Sequence, residues 1–161
     1  MTRLVLALSS VCRGGAAPAE ALRRARELGA EVVALFVVDD RTVHGLDRRM
    51  SDAGFIGERP CADLVRAALE EWERIGHAAL AEVQAACDEA GVPCRTRLVR
   101  GERVERTLSA VAEEGAELCV VPEAPRSRLA RWLRPGDAAR LAAGGPCQVV
   151  PVAVQEEPND R

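Results

Sequence analysis

Four arginines near the carboxyl end of the sequence form its densest group of side chains able to bind an anion. They are Arg126, Arg128, Arg131 and Arg134, and the last three recur at three-residue intervals, a spacing that aligns them on one side of a helix. Guanidinium groups bind phosphate and carboxylate oxygens in a forked geometry. A charged helix side that only faces water has the same composition, so both interpretations stay open.

The cysteines are the next candidates for chemistry. There are six, and no two have Cys-x-x-Cys spacing, so the sequence predicts neither a zinc knuckle nor a thioredoxin-like pair. Cys87 and Cys119 fall within apolar patterns, which predicts that they are buried as small hydrophobic side chains. Cys12 and Cys61 lie in predicted loops or helix starts, and they are the candidates for a reactive thiol.

Residue types used in catalysis are present without the spacing that catalysis needs. His44 and His77 have no partners at triad or metal-ligand spacing, and Ser9 and Ser10 lack the Gly-x-Ser-x-Gly elbow of hydrolases. We interpret three further residues as solvated loop carboxylates, with at most a weak cation site: Asp39, Asp40 and Asp47. The sequence therefore predicts no catalytic residue and no metal site.

Length and composition indicate one globular domain. The chain has 161 residues, of which 48% are hydrophobic and 29% charged, enough for a single core. A formal net charge of -3 argues against a general affinity for nucleic acid. The sequence has no apolar run long enough to cross a membrane, and Met1-Thr2-Arg3 leads directly into a short strand rather than a cleavable signal. We expect a cytoplasmic protein.

One junction recurs four times: a helical stretch, one or two glycines, then a β-rich run. The glycines are Gly29, Gly91, Gly115 and the pair Gly144-Gly145, and each fits the left-handed position that closes a helix. The predicted strands are Leu4–Leu8, Val32–Val38, Cys94–Val99, Leu118–Val121 and Gln148–Val154. Alternation of strands and helices predicts a doubly wound parallel sheet with helices on both faces.

Strand composition predicts the order of the strands. The first, second and fourth strands are nearly continuous apolar runs, as expected for strands covered on both faces. Charged residues alternate along the third strand and Pro151 interrupts the fifth, so both belong at edges. The order 3-2-1-4-5 satisfies these assignments. It places a ligand crevice between the first and fourth strands, beyond their carboxyl ends.

Three other segments complete the prediction. The apolar stripe of the second helix consists of Val65, Leu69, Trp72, Ile75, Ala79, Val83, Ala86 and Ala90. Asp39–Pro60 has no sustained periodicity and is an irregular insertion in a domain that spans residues 1–154. Gln155–Arg161 is polar, and we expect a disordered tail.

With these elements in place, the chain resembles the universal stress protein family. The resemblance rests on Leu4-Val5-Leu6-Ala7-Leu8, Glu89-Ala90-Gly91-Val92, Gly101 before a helix to Glu114, Gly115-Ala116-Glu117-Leu118-Cys119-Val120-Val121 and Pro146-Cys147-Gln148-Val149-Val150. It covers nearly everything except Asp39–Pro60. The resemblance implies a homodimer that pairs through the last strand, Gln148–Val154, and the edge prediction for that strand is compatible with this.

Family members that bind nucleotides place an aspartate after the first strand and a glycine motif after the fourth. Bare backbone N–H groups of such a motif cradle phosphates beside a helix N-terminus. In this chain Ser9 stands where the aspartate would be, and Gly136 replaces a hydroxyl residue. The three glycines are replaced by Pro122, Pro125 and Pro135. Val38 is a further candidate of this nucleotide-binding set. Prolines remove the N–H donors, so the segment is interpreted as a connector.

Asp137 adds a further obstacle. It lies in the first turn of a predicted helix over Gly136–Ala143, where its carboxylate is expected to satisfy the free N–H groups that a phosphate would use. We therefore predict weak or absent ATP binding by the family's usual route and assign no cofactor.

Three functions remain open. The leading hypothesis is a non-enzymatic stress-response or regulatory homodimer with a protein partner that the sequence does not identify. The alternative is a switch that binds ATP or another adenine nucleotide through Arg126 and Arg128, with or without slow ATP hydrolysis. The third is a thiol sensor that uses Cys12.

Overall fold

The computed structural model describes residues 1–10, 15–41, 58–123 and 136–154, with the backbone alone described for residues 58–61. Its strands are β1 (Arg3–Ser9), β2 (Glu31–Asp39), β3 (Cys94–Gly101), β4 (Leu118–Glu123) and β5 (Gln148–Ala153). Its helices are α1 (Ala17–Leu28), α2 (Glu58–Ala90), α3 (Arg103–Glu114) and α4 (Asp137–Gly144).

The five strands form one parallel sheet in the order β3-β2-β1-β4-β5, which confirms the predicted order. The central strands are buried on both faces because they carry apolar residues between their ends, whereas the residues of the edge strands are half-buried or exposed. Helices cover both faces, as predicted. Leu4, Leu6 and Leu8 of β1 pack on one face with α1 and α2, and Val5 and Ala7 pack on the other with α3 and α4.

α2 approaches the sheet closely at Gly76. A Cβ atom built there would lie 2.6 Å from Phe36 Cδ1 and 2.8 Å from Leu98 Cδ1, so only glycine fits at this crossing. The predicted apolar stripe is correct in outline, with Trp72 half-buried against the core. It is wrong at Ala86, which is exposed. The more fully buried positions of this helix include Leu80, Val83 and Cys87.

The predicted boundaries of the insertion differ from the structure at both ends. β2 extends to Asp39, and the backbone of α2 is already helical at Glu58. Residues 42–57, and the predicted tail over residues 155–161, lie outside the described part of the chain. Within the described part, no helix combines the length and the apolar character needed to span a membrane.

Three of the four predicted glycine helix ends are confirmed. Gly29 and Gly115 close α1 and α3 with φ of 60° and 61°, and Gly91 after α2 has φ 68°. The prediction for Gly145 is wrong, because its φ is -144° and its backbone is extended. A Cβ at Gly145 would lie 3.1 Å from Leu108 Cδ2, so this glycine serves the close packing of α4 against α3.

Candidate functional site

A crevice opens between β1 and β4 because Pro122 ends their pairing. β1 pairs with β2 as far as Ser9 opposite Val37, but it pairs with β4 only as far as Leu6 opposite Val120. In β4, the backbone groups of the odd-numbered residues bond to β5, so the backbone groups of the even-numbered residues point toward β1. Pro122 is the next even-numbered residue, and it has no N–H to donate. The crevice therefore lies at the predicted position.

The crevice is almost filled by side chains. Its described lining includes Ser9, Val37, Arg103, Thr107, Pro122 and Asp137. The space left for a water-sized sphere is about 20 Å³. A single water needs about 10–15 Å³, so the space between the described lining residues holds about one water.

Arg103 lines the crevice and connects carboxylates of two different elements. It is the first residue of α3, and its Nε lies 2.8 Å from Asp137 Oδ2 at the start of α4. Its Nη1 lies 3.7 Å from Asp39 Oδ2 at the end of β2. The buried Nε–H does not meet hydrogen-bond geometry despite the short distance to Asp137, so this contact is an ion pair. One guanidinium thus joins β2 to α4.

Asp39 corrects a sequence prediction. It was expected to be a solvated loop carboxylate, but it is the last residue of β2 and only 2% exposed. Its Oδ1 accepts a hydrogen bond of 3.1 Å from the Arg41 backbone N–H, and its own N–H donates to Ser10 Oγ at 3.2 Å. A buried carboxylate needs a compensating charge, which Arg103 and Arg41 provide.

Glu102, the residue before Arg103, forms ion pairs with two further arginines. As the N-cap of α3 it accepts a 2.7 Å hydrogen bond from the Glu105 backbone N–H, and it also pairs with Arg41 at 2.9 Å and Arg140 at 3.3 Å. Burial disfavours its charged form, but the N–H groups of the first helical turn and the two arginines hold the pKa of Glu102 below its usual range. Arg41, Arg103 and Arg140 therefore all face carboxylates.

The structure separates the predicted residues of the nucleotide-binding set. Ser9 and Pro122 line the crevice. Val38 belongs to the core on the opposite face, and its neighbour Val37 lines the crevice instead. The alternation of side chains along β2 explains this difference of one residue. Gly136 is the N-cap of α4, with extended backbone at φ -67° and ψ 167°.

The predicted role of Asp137 needs correction. It lies in the first turn of α4, as expected, but its carboxylate binds Arg103 rather than serving as the cap of its own helix. The Nη2 group of Arg103 donates to Asp137 Oδ1 at 3.4 Å, and Arg140 lies 4.0 Å from the same oxygen. The charged guanidinium of Arg103 is a stronger partner for this carboxylate than the free N–H groups at the start of α4.

The remaining candidates lie outside the described residues. They are Pro125, Arg126, Arg128, Arg131, Arg134 and Pro135 of the segment after β4, together with Cys12 and His44. The backbone of Cys61 is helical, and its side chain is not described. His77 lies on α2 and is exposed.

Two buried cysteines behave as the sequence predicts. Cys87 and Cys119 are both core residues. Burial raises the pKa of the Cys119 thiol to about 12, and it also raises the pKa of Cys87. Such thiols carry little thiolate at neutral pH, so they are structural. In the described ranges no group of three or more histidines, cysteines and carboxylates could hold a metal ion.

Sequence reasoning missed Arg103, Glu102 and Thr107, although one signal marks their position. Gly101 has φ +141°, a conformation that favours glycine, and it lets the chain pass directly from β3 into α3 at the edge of the sheet where ligands bind. Polar residues just after such a glycine belong to the crevice. Thr107 follows one turn later, and its hydroxyl donates to the Arg103 carbonyl at 2.7 Å.

Comparisons with known proteins agree with this fold. The universal stress protein UspA from Lactobacillus plantarum has 18% identity and a TM-score of 0.65, with 94% of this chain and 97% of that chain covered. A family protein from Burkholderia pseudomallei has 25% identity and a TM-score of 0.59, with coverage of 94% and 95%. One from Arabidopsis thaliana, described with AMP bound, has 16% identity and a TM-score of 0.58, with coverage of 99% and 97%.

No curated protein sequence matches the chain. The sequence profile of the universal stress protein family matches residues 1–153, nearly the whole chain. The chain belongs to the universal stress protein family.

Proposed function

We propose that this chain is a non-enzymatic, regulatory member of its family that works as a homodimer, and that its crevice does not bind ATP through the glycine-loop route. The observation that carries this proposal is the Arg103 bridge. Its guanidinium spans Asp39 and Asp137 across the position where the crevice would have to open. A crevice held together by its own ion pairs supports a structural role for that end of the sheet.

The charges at the crevice also oppose a triphosphate. Asp39, Glu102 and Asp137 place three carboxylates there, and they already engage the arginines that would otherwise attract an anion. Pro122 offers no N–H at the point where the family's motif begins. A bound nucleotide would have to break these pairs and leave carboxylates unpaired and partly buried, which costs several kcal/mol.

Calorimetry tests this part of the proposal. The wild-type chain is titrated with ATP, ADP, AMP and cyclic AMP at millimolar concentration, alongside a thermal-shift measurement with each. We expect no saturable heat and no stabilisation by any of the four. Saturable binding of one of them with a proportionate rise in Tm would overturn the proposal.

A switch that binds an adenine nucleotide is the second candidate. The related structure from Arabidopsis thaliana is described with AMP bound, which favours this alternative. Arg126 and Arg128 are the side chains assigned to the phosphate in that case. If calorimetry detects binding, Arg126→Ala and Arg128→Ala decide whether it uses these arginines, because each should then weaken binding at least about tenfold. Arg74→Ala, on the exposed side of α2, is the matched control.

The proposed homodimer forms through β5. This edge strand is six residues long, contains no charged side chain and pairs with β4 on one side. Half-buried Val150 and Val152 pack against the core from this edge, so a second copy could bury their remaining exposed area. Sedimentation at micromolar concentration tests the assembly. A dimer is expected, and a monomer at every concentration would refute it.

A further inference from the structure

The backbone bonds of β5 show which of its residues face the free edge. The Gln148 N–H donates to the Glu117 carbonyl at 3.0 Å, and the Val154 N–H donates to the Glu123 carbonyl at 3.0 Å. The N–H and C=O of one residue point the same way, and successive residues alternate, so the even-numbered residues face β4. The residues whose backbone groups face outward are Val149, Pro151 and Ala153.

Pro151 therefore stands in the middle of the outward-facing set. It has no N–H, and its Cδ atom occupies the place where a hydrogen would point toward a partner strand. An antiparallel partner would bring a carbonyl oxygen opposite this position, and Cδ would hold it beyond hydrogen-bond distance. The free edge is split into two short stretches, with one N–H donor at Val149 and one at Ala153.

The opposite edge of the sheet is protected in another way. Arg95 and Arg97 of β3 reach Glu31 and Glu113 at 2.8 Å each, and Arg100 pairs with Glu73. A second strand added beside β3 would meet this line of ion pairs. β5 carries no charged side chain, so charge does not protect this edge, and Pro151 is the residue that limits backbone pairing there.

We propose that Pro151 controls how a second copy joins the sheet, by preventing a continuous antiparallel ladder across β5. This inference rests on the proposed homodimer. Contact between copies is then made by the side chains of β5 and by the backbone groups on either side of Pro151. The residue keeps the association weak and stops the sheet from extending further.

The test compares the wild-type chain with Pro151→Ala by sedimentation velocity over a wide concentration range. The substitution supplies the missing N–H and removes Cδ in both copies, so the dimer should form at least about tenfold more tightly. Pro146→Ala makes the same chemical change at an exposed position before β5, and it should leave the dissociation constant unchanged. Thermal unfolding of each variant verifies that it is folded.

The outcomes separate this inference from the homodimer itself. Tighter association of Pro151→Ala supports the inference even if the wild-type chain is monomeric, a result that would refute only the homodimer. Equal or weaker association refutes the inference and leaves a wild-type dimer intact. Hydrogen exchange gives a second readout, because the new amide at position 151 should exchange more slowly as the variant associates, and an unprotected amide would contradict pairing there.

Discussion

The Nε atom of Arg103 lies 2.8 Å from Oδ2 of Asp137, so the first residue of α3 holds the first turn of α4 in place. The same guanidinium reaches the buried carboxylate of Asp39. These contacts occupy the position at the carboxyl end of the sheet where a parallel α/β protein ordinarily receives its ligand. Among the described residues, ion pairs of Arg103 thus lie at the position where such folds bind their ligands.

Removing this guanidinium should destabilise the fold. Arg103→Met keeps most of the apolar volume but leaves Asp39, which is 2% exposed, with Arg41 as its remaining cationic partner among the described residues. We expect the free energy of unfolding to fall by about 2–4 kcal/mol, because the loss of one partner leaves a buried charge undercompensated. Urea denaturation measures it. Arg74→Met removes an exposed ion pair with Glu71, and it should cost less than about 1 kcal/mol.

The pairing of Arg103 with Asp39 should appear as an energetic coupling. Asp39→Asn, Arg103→Met and the double variant form a cycle in which the second change costs less once the first has been made. We expect a coupling of about 1–2 kcal/mol in urea unfolding, of the sign that marks attraction. Additive effects would show that the 3.7 Å contact contributes nothing to stability.

Much of the fold was predictable because its signals are local. Apolar runs in β1, β2 and β4 required burial on both faces, and alternating charge in β3 required an edge, which together determine the strand order. The prediction of a left-handed helix end at Gly145 was wrong because the role of this glycine depends on the side chain of Leu108, which helix-end rules do not consider. The prediction that Ala86 belongs to the buried stripe was wrong because alanine occurs on both the buried and the exposed side of a helix.

The candidate site was predictable in position but not in chemistry. The crevice follows from strand order, and Ser9, Pro122 and Asp137 were correctly placed beside it. Arg103 is more than sixty residues from Asp39 and more than thirty from Asp137, so no local pattern links them. The prediction for Asp39 was wrong because a carboxylate that follows an apolar strand usually lies in a solvated loop. Its burial can be predicted only when the distant cation that pairs with it is known.

The crossing of α2 over the sheet should not tolerate a methyl group. Glycine-to-alanine changes inside helices usually stabilise by about 0.5–1 kcal/mol. Gly76→Ala should instead destabilise by about 1–3 kcal/mol, because its Cβ would lie within 3 Å of Phe36 and Leu98. Chemical denaturation shows directly whether the substitution lowers or raises the free energy of unfolding. Ala86→Gly, at an exposed position of the same helix, calibrates helix propensity alone, and a stabilising Gly76→Ala would contradict the described packing.

Acid should weaken the ion pairs that Glu31 forms with Arg3 and Arg95 at the amino ends of the strands. A hydrogen bond from Arg95, with a smaller contribution from Arg3, lowers the pKa of Glu31 below its ordinary value. A lowered pKa in the folded state means that the unfolded chain binds the proton more readily, so stability is present above about pH 5 and is lost as the pH falls through the lowered pKa.

The free energy of unfolding, measured from neutral pH to about pH 3, tests this effect. Glu31→Gln cannot titrate, so its stability should fall less steeply with acid than that of the wild-type chain. Glu117→Gln makes the same chemical change at an exposed position near the same end of the sheet, and it is the matched control for the substitution. Parallel curves for wild type and Glu31→Gln would refute the assignment.

The most direct test of the closed crevice is an NMR titration of the wild-type chain with ATP and AMP, in which the backbone amides of Ser9, Val37, Thr107 and Asp137 are followed. These amides belong to residues that line the crevice. The Arg103 bridge predicts that they keep their chemical shifts up to a nucleotide concentration of about 1 mM. Saturable shifts that map to these four residues would show that the crevice opens to a nucleotide and would contradict the account.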